Sequence, residues 1–147
     1  MKLSTRGRYG TRALLDIALH QSERPVLLKE VARRQEISPL YLERLITPLI
    51  TAGILRSTRG ARGGVSLSRP AGEVRLSEIL RLLEGSIEPV ECVNNPGVCS
   101  RSGACVTRDV WGELQKAMDD VLNGITLGDL VERQRVKDQT RHIMYDI

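Results

Sequence analysis

The sequence contains no phenylalanine, one tryptophan and three tyrosines, so aromatic residues make up only 3% of its 147 positions. A hydrophobic core built from it must be aliphatic. Histidine is equally scarce: His20 and His142 are the only two, which excludes a metal-ligating histidine pair at helical spacing. No nucleophile-base pair stands out. The glycine-rich stretch 60–64 is not followed by a helix, as a phosphate loop would be. An enzyme is not expected, nor a small-molecule substrate. No apolar run approaches the ~20 residues that span a bilayer, and the opening Met-Lys-Leu-Ser-Thr-Arg lacks the apolar stretch of a signal peptide. A cytoplasmic protein with no membrane partner is expected.

Cysteine is scarce but concentrated. All three cysteines, Cys92, Cys99 and Cys105, fall within one stretch of fourteen residues. An odd, crowded set fits poorly with a disulfide scaffold and suits metal ligation or redox chemistry in a reducing compartment. The stretch is rich in Gly, Asn, Ser and Pro and buries little apolar surface, so three thiolates closing on one inorganic centre are expected to order it.

The net charge of +4 is unevenly spread. Residues 1–75 carry 14 Lys/Arg against 6 Asp/Glu, and residues 76–147 carry 8 against 12. The basic footprint of a nucleic-acid binder therefore lies in the first half.

Along that half, Tyr9, Ala13, Leu14, Ile17 and Ala18 recur at helical spacing and predict a helix over 4–21, with Arg6, Arg8 and Arg12 near its start. Arg24-Pro25 breaks the chain. A short helix over 28–35 follows, then a turn at 36–38. Ser38 before Pro39 is a helix start, because the hydroxyl caps free N–H groups and proline needs no donor in the first turn. That helix runs through Leu42, Leu45, Ile46, Leu49 and Ile50 to Gly53. Pro48 interrupts the apolar pattern and predicts a kink or an early end near Thr47.

Two short helices about a tight turn make a helix-turn-helix over about 28–51, presenting Ser38, Tyr41, Glu43 and Arg44 to base edges in double-stranded DNA. Two short strands around a glycine-rich turn over about 54–68 make a wing edged by Arg56, Arg59 and Arg62. With Arg8, these arginines are candidate phosphate contacts.

Residues 1–72 thus form a winged helix-turn-helix domain. Residues 73–106 hold a helix over 76–84, with Ser77 as its cap, and the cysteine loop. Residues 107–134 hold a long helix through Asn123, capped by Thr107, and a short helix through Gln134 opened by a Thr126/Asp129 capping box. Residues 135–147 read as a polar, mobile or partner-dependent tail. The long helix carries Val110, Trp111, Leu114, Ala117, Met118, Val121 and Leu122 as one apolar stripe. The small N-terminal domain is too small to cover it, so Val110, Leu114, Ala117, Met118 and Val121 are expected to form a homodimer interface. The fold class is mainly α with a small β-hairpin.

Several segments together resemble the IscR/NsrR family of bacterial iron–sulfur transcription regulators. They are Met1-Lys-Leu-Ser-Thr-Arg-Gly-Arg-Tyr-Gly10, Ser38-Pro-Leu-Tyr-Leu-Glu43, Gly53-Ile-Leu-Arg-Ser-Thr-Arg-Gly60 with Gly63-Gly64, the three cysteines, and Ile125-Thr-Leu-Gly-Asp-Leu130. The resemblance covers residues 1–134 and is strongest to the IscR type. It implies a homodimeric winged helix-turn-helix with crossing long helices, and an iron–sulfur cluster held by Cys92, Cys99 and Cys105. The cluster would be 2Fe–2S, with 4Fe–4S as the alternative.

Two departures concern the fourth ligand. The IscR type has a histidine where this chain has Arg108, and the NsrR type has an aspartate where it has Arg8. Glu91, Asn94, Asn95, Asp109, a tail residue or a small exogenous ligand are the candidates. Zinc, a metal-free redox switch or a partner-binding winged-helix dimer remain the alternatives to a cluster. On the cluster reading, its gain or loss alters DNA affinity or site choice at a near-palindromic operator, in the control of cluster assembly or a related stress response.

Overall fold

The computed structural model describes residues 2–146; Met1, which opens the resembling segment, and Ile147, which ends the tail, lie outside the described residues. Among the described residues there are six α-helices, one two-stranded hairpin and several single 3-10 turns.

Helix α1 (Thr5–His20) is capped by Ser4, whose hydroxyl accepts from the Gly7 amide at 3.3 Å. Its apolar face buries Ala13, Leu14 and Ile17. Helix α2 (Leu28–Gln35) ends where Glu36 adopts a left-handed conformation with φ of 54°. Helix α3 (Pro39–Thr51) starts as expected, with the Ser38 hydroxyl accepting from the Tyr41 amide.

The expected early end near Thr47 does not occur, because α3 continues through Pro48 to Thr51. Proline removes one donor, but Leu45, Ile46 and Leu49 are buried on both sides of it, and their packing offsets the loss. Hydroxyls within the helix supply further bonds to its carbonyls, Thr47 to Glu43 at 2.8 Å and Thr51 to Thr47 at 3.0 Å. Gly53 then terminates α3 at φ 75°, with Ile54 N–H donating to Leu49 C=O and Gly53 N–H to Ile50 C=O, both at 3.0 Å. This is a Schellman closure.

Strands β1 (Leu55–Thr58) and β2 (Gly64–Leu67) pair antiparallel, Leu55 opposite Leu67 and Ser57 opposite Val65. Leu55, Val65 and Leu67 face the core, while Arg56 faces solvent. Val26 adds a third short edge through two 2.8 Å bonds with Val65. Gly64, at φ 149°, passes so close to the Val26 carbonyl that any Cβ there would collide with it.

Helix α4 (Leu76–Glu84) packs on α1 and α3. Its cap is Arg75, and the expected cap Ser77 is instead buried within the first turn. The start of α4 is set tertiarily, by Leu76 N–H donating to Ile125 C=O at 2.9 Å and Leu127 N–H to Val74 C=O at 2.7 Å.

Helix α5 (Val106–Gly124) packs against α4. Cys105 occupies its cap position and Thr107, the expected cap, is the second residue of the helix. The Thr126/Asp129 capping box opens α6 (Leu127–Tyr145) as expected. However, α6 does not stop at Gln134, and the expected mobile tail is helical to Tyr145. Residues 135–145 contain neither Gly nor Pro. Gln134 bonds Asp138 at 2.9 Å and Arg141 lies over the Tyr145 ring at 5.9 Å. Polarity removed the packing signal without removing helix propensity. No helix of the described residues is long and apolar enough to cross a membrane.

Candidate DNA-binding face and cysteine loop

Burying Leu42, Leu45, Ile46 and Leu49 of α3 turns Glu43 and Arg44 outward into solvent, with Ser38 exposed at the helix start. Tyr41 is half-buried, its ring edge-on to Tyr9 of α1 with centroids 6.5 Å apart. Tyr9 in turn carries the Arg12 guanidinium 5.2 Å above its ring. Tyr41 thus joins α3 to α1 and exposes only part of its surface.

Arg8, Arg44, Arg56, Arg59 and Arg62 are all exposed, and none forms an ion pair among the described residues. Arg34 and Arg69 do the opposite, pairing with Asp16 and with Glu78. Arg56 also donates to the Ser66 hydroxyl across the wing at 3.2 Å. It lines a cleft of about 380 Å³ with Arg24, Glu23 and the hydroxyl residues Ser22, Thr58 and Ser66. Arg24 was legible in the sequence only as a chain breaker; the Val26–Val65 pairing brings it to the wing.

The sequence also concealed what fixes α2 against α1. Asp16, 3% exposed, accepts from Arg34 and from the Gln35 amide at 2.9 Å, and Arg12 donates to the Gln35 side chain and backbone at 3.2 Å. The available signal was a carboxylate set between Leu14 and Ile17 on the buried face of α1.

In the cysteine loop all three thiols are free, Cys99 exposed and Cys92 and Cys105 half-buried. Hydrogen bonds within the loop, and from Arg108 of α5, shape it. It forms three 3-10 turns, Glu91–Val93, Pro96–Val98 and Ser102–Ala104. The Ser102 hydroxyl donates toward the Pro96 and Cys99 carbonyls at 2.8 and 2.9 Å. Hydrogen bonds from Asn94 and then Ser86 hold the Glu88 carboxylate below its usual range. The Asn94 side chain, a candidate fourth ligand, is engaged there.

Arg108, standing at the resembling histidine position, donates Nε to Cys92 C=O at 2.8 Å and Nη2 to Val93 C=O at 3.2 Å. Cys105 lies 3.2 Å from the Thr107 hydroxyl. That hydroxyl first, and the Arg108 backbone amide second, push the Cys105 thiol below its usual value. Free thiols on one loop, one of them biased toward thiolate, are the right donor type for an iron–sulfur cluster. Even so, among the described residues no three His, Cys, Asp or Glu side chains converge into a metal-holding group.

None of the five expected dimer residues is buried: Val110 is 51% and Val121 58% exposed, Ala117 is also exposed, and Leu114 and Met118 are half-buried. Ala117, Met118 and Val121 line a groove of about 650 Å³ with Leu3, Leu80 and Ile87.

A family model described as iron-dependent transcriptional regulator, Rrf2, matches residues 3–133. Protein rrf2 of Nitratidesulfovibrio vulgaris is 50% identical over 131 residues, covering 89% of this chain and 87% of that protein. The solved structure of T. potens IscR superposes with a TM-score of 0.74 at 39% identity, over 91% of this chain and 88% of that one. CymR (YrzC), titled the global cysteine regulator of B. subtilis, gives a TM-score of 0.77 at 35% identity, over 90% and 98%.

Proposed function

Because the chain belongs to the Rrf2 family of transcriptional regulators, we propose that it is a homodimeric, cytoplasmic, sequence-specific DNA-binding protein whose affinity or site choice is set by an iron–sulfur cluster on Cys92, Cys99 and Cys105. The observation that carries the DNA reading is the set of five unpaired arginines around an exposed recognition helix. A guanidinium without a carboxylate neighbour is free to displace counterions from phosphate.

Ser38, Tyr41, Glu43 and Arg44 would face base edges, and Arg8, Arg56, Arg59 and Arg62 the backbone. Arginine suits guanine, while a carboxylate accepts from cytosine N4 and is repelled by phosphate, so Glu43 acts partly by excluding wrong sequences. Two readers related by a two-fold axis through the Val110, Leu114, Ala117, Met118 and Val121 stripe meet half-sites roughly one helical turn apart.

When bound, an iron–sulfur cluster supplies redox-variable charge at the loop. The loop's first turn packs on α5, α5 on α4, and α4 on both α1 and α3. A shift of the loop therefore has a packed route to the recognition helix, and a coupling of ~1 to 3 kcal/mol suffices to change occupancy.

Anaerobically purified protein tests the reading through iron and acid-labile sulfide counts, together with DNA binding by wild type and by a Cys92/Cys99/Cys105→Ala variant. Iron, sulfide and altered DNA binding in the variant are expected. The second reading is a metal-free redox or partner-binding regulator, supported by a loop whose turns close through its own hydrogen bonds. Iron-free protein binding the same operator as the triple variant would leave that second reading standing alone.

A further inference from the structure

The cysteine loop is too polar to fold on apolar contacts, yet its first turn is fixed. The contact that fixes it from outside the loop is Arg108. This residue sits in the first turn of α5, and its guanidinium reaches back sixteen positions in sequence to the carbonyls of Cys92 and Val93. A guanidinium presents N–H donors in a rigid fork and has no acceptor lone pair, so it cannot ligate a metal but can bind two adjacent carbonyls at once. Charge-assisted bonds of this kind are roughly twice as strong as neutral ones. Arg108 is itself half-buried, which limits competition from water.

We propose that Arg108 is a positioning residue for Cys92: its side chain clamps the Glu91–Val93 turn onto α5, so that this cysteine keeps its place in the unloaded loop. The Arg108 backbone amide has a separate role, facing Cys105, and any side-chain substitution leaves it intact. Cys99 receives nothing from Arg108. Loss of the guanidinium therefore acts on one thiol of the three. The inference concerns the unloaded loop and does not depend on the cluster reading, although it says how one proposed ligand is held.

The test uses full-length, reduced, metal-free protein and measures iodoacetamide alkylation at each cysteine by mass spectrometry, with amide hydrogen exchange over 90–95. Arg108→Ala is expected to raise the Cys92 alkylation rate about tenfold and to speed exchange in that turn, while the Cys99 and Cys105 rates stay within twofold of wild type. Arg108→Lys, which keeps the charge and donors but lacks the rigid planar fork, is expected to fall between wild type and Arg108→Ala. Circular dichroism of each variant reports whether the helices persist. An unchanged Cys92 rate in helical Arg108→Ala protein would overturn the proposal. So would an equal rise at all three thiols, because that would make Arg108 a general stabiliser. Because every sample is metal-free, failure of this inference is distinct from failure of the cluster reading, which the iron and sulfide counts test.

Discussion

Arg34 on α2 grips the buried carboxylate of Asp16 on α1 through both of its oxygens, Nε lying 3.1 Å from each and Nη2 2.7 Å from Oδ2. Asp16 is 3% exposed and Arg34 22%, so the two partners are not equivalent. Losing Arg34 leaves the core carboxylate its Gln35 amide donor but no guanidinium to balance its charge, whereas losing Asp16 leaves a guanidinium with a path to water. Removal of one partner of a buried pair costs ~3 to 5 kcal/mol where neither can escape. Arg34→Ala is expected near the low end, about 3 kcal/mol, and Asp16→Ala below it. The double variant should lose less than the sum, because the stranded charge is gone. Urea denaturation of the four proteins measures this cycle, and strict additivity would show that the pair is not coupled.

A second prediction concerns two glycines of α1 that lie against α4. A Cβ on Gly10 would sit 2.5 Å from Cδ1 of Leu83, which is fully buried. A Cβ on Gly7 would instead meet the end of the flexible Glu84 side chain. Overpacking costs ~1 to 3 kcal/mol, and Gly→Ala within a helix returns up to about 1 kcal/mol. Gly10→Ala should therefore destabilise, and Leu83→Val should partly rescue it. Gly7→Ala should be close to neutral, losing only the 2.8 Å bond from Ser4 N–H to Glu84. Thermal melts that rank the two glycines the other way would contradict the packing argument.

These contacts also show what the sequence could reveal. Ser38-Pro39 marks the start of α3 because a cap and a first-turn proline act within four residues, and Thr126 with Asp129 marks α6 for the same reason. Ser77 and Thr107 carried the same local signal and misled, since the pairing of 74–76 with 125–127 sets the start of α4 and the cysteine loop sets that of α5. Asp16 with Arg34 and Arg108 with Cys92 are separated by 18 and 16 residues. Nothing within either segment states which partner it meets. Arg108 was legible as a departure from a ligand, but its clamp was not. The end of α6 was missed for another reason: apolar periodicity reports burial, and 135–146 is exposed throughout.

A third prediction is a pH dependence at the start of α6. The Asp129 carboxylate accepts from the Thr126 backbone amide at 2.8 Å, and this bond first, the Thr126 hydroxyl second, hold its pKa below the usual value. A carboxylate whose folded pKa is depressed contributes stability above its unfolded pKa and loses it as pH falls through the folded one. The cap is therefore complete at neutral pH and fails in acid, below the ordinary carboxylate range. Asp129→Asn should melt lower than wild type at pH 7 and approach it as acid removes the wild-type charge. Parallel melts across that range measure the convergence, and a gap independent of pH would mean that the carboxylate charge plays no part.

A fourth prediction separates the proposed phosphate contacts from the proposed base contacts. Arg59 lies exposed in the turn between β1 and β2 and has no ion-pair partner among the described residues. If it meets a phosphate, Arg59→Ala lowers the slope of log affinity against log salt by ~0.9 and weakens all sequences alike. Arg69→Ala is the control, because that guanidinium is already engaged by Glu78 and by the Glu73 carbonyl; its salt slope should match wild type. Glu43→Ala should behave differently from both. If Glu43 faces base edges, removing its carboxylate leaves affinity for the best site within a few-fold and admits additional sites. Selection from a random duplex pool, followed by salt titrations on the preferred operator, reads out all three variants. An unchanged slope for Arg59→Ala would remove that residue from the backbone contacts, and an unchanged sequence preference for Glu43→Ala would remove its role in discrimination.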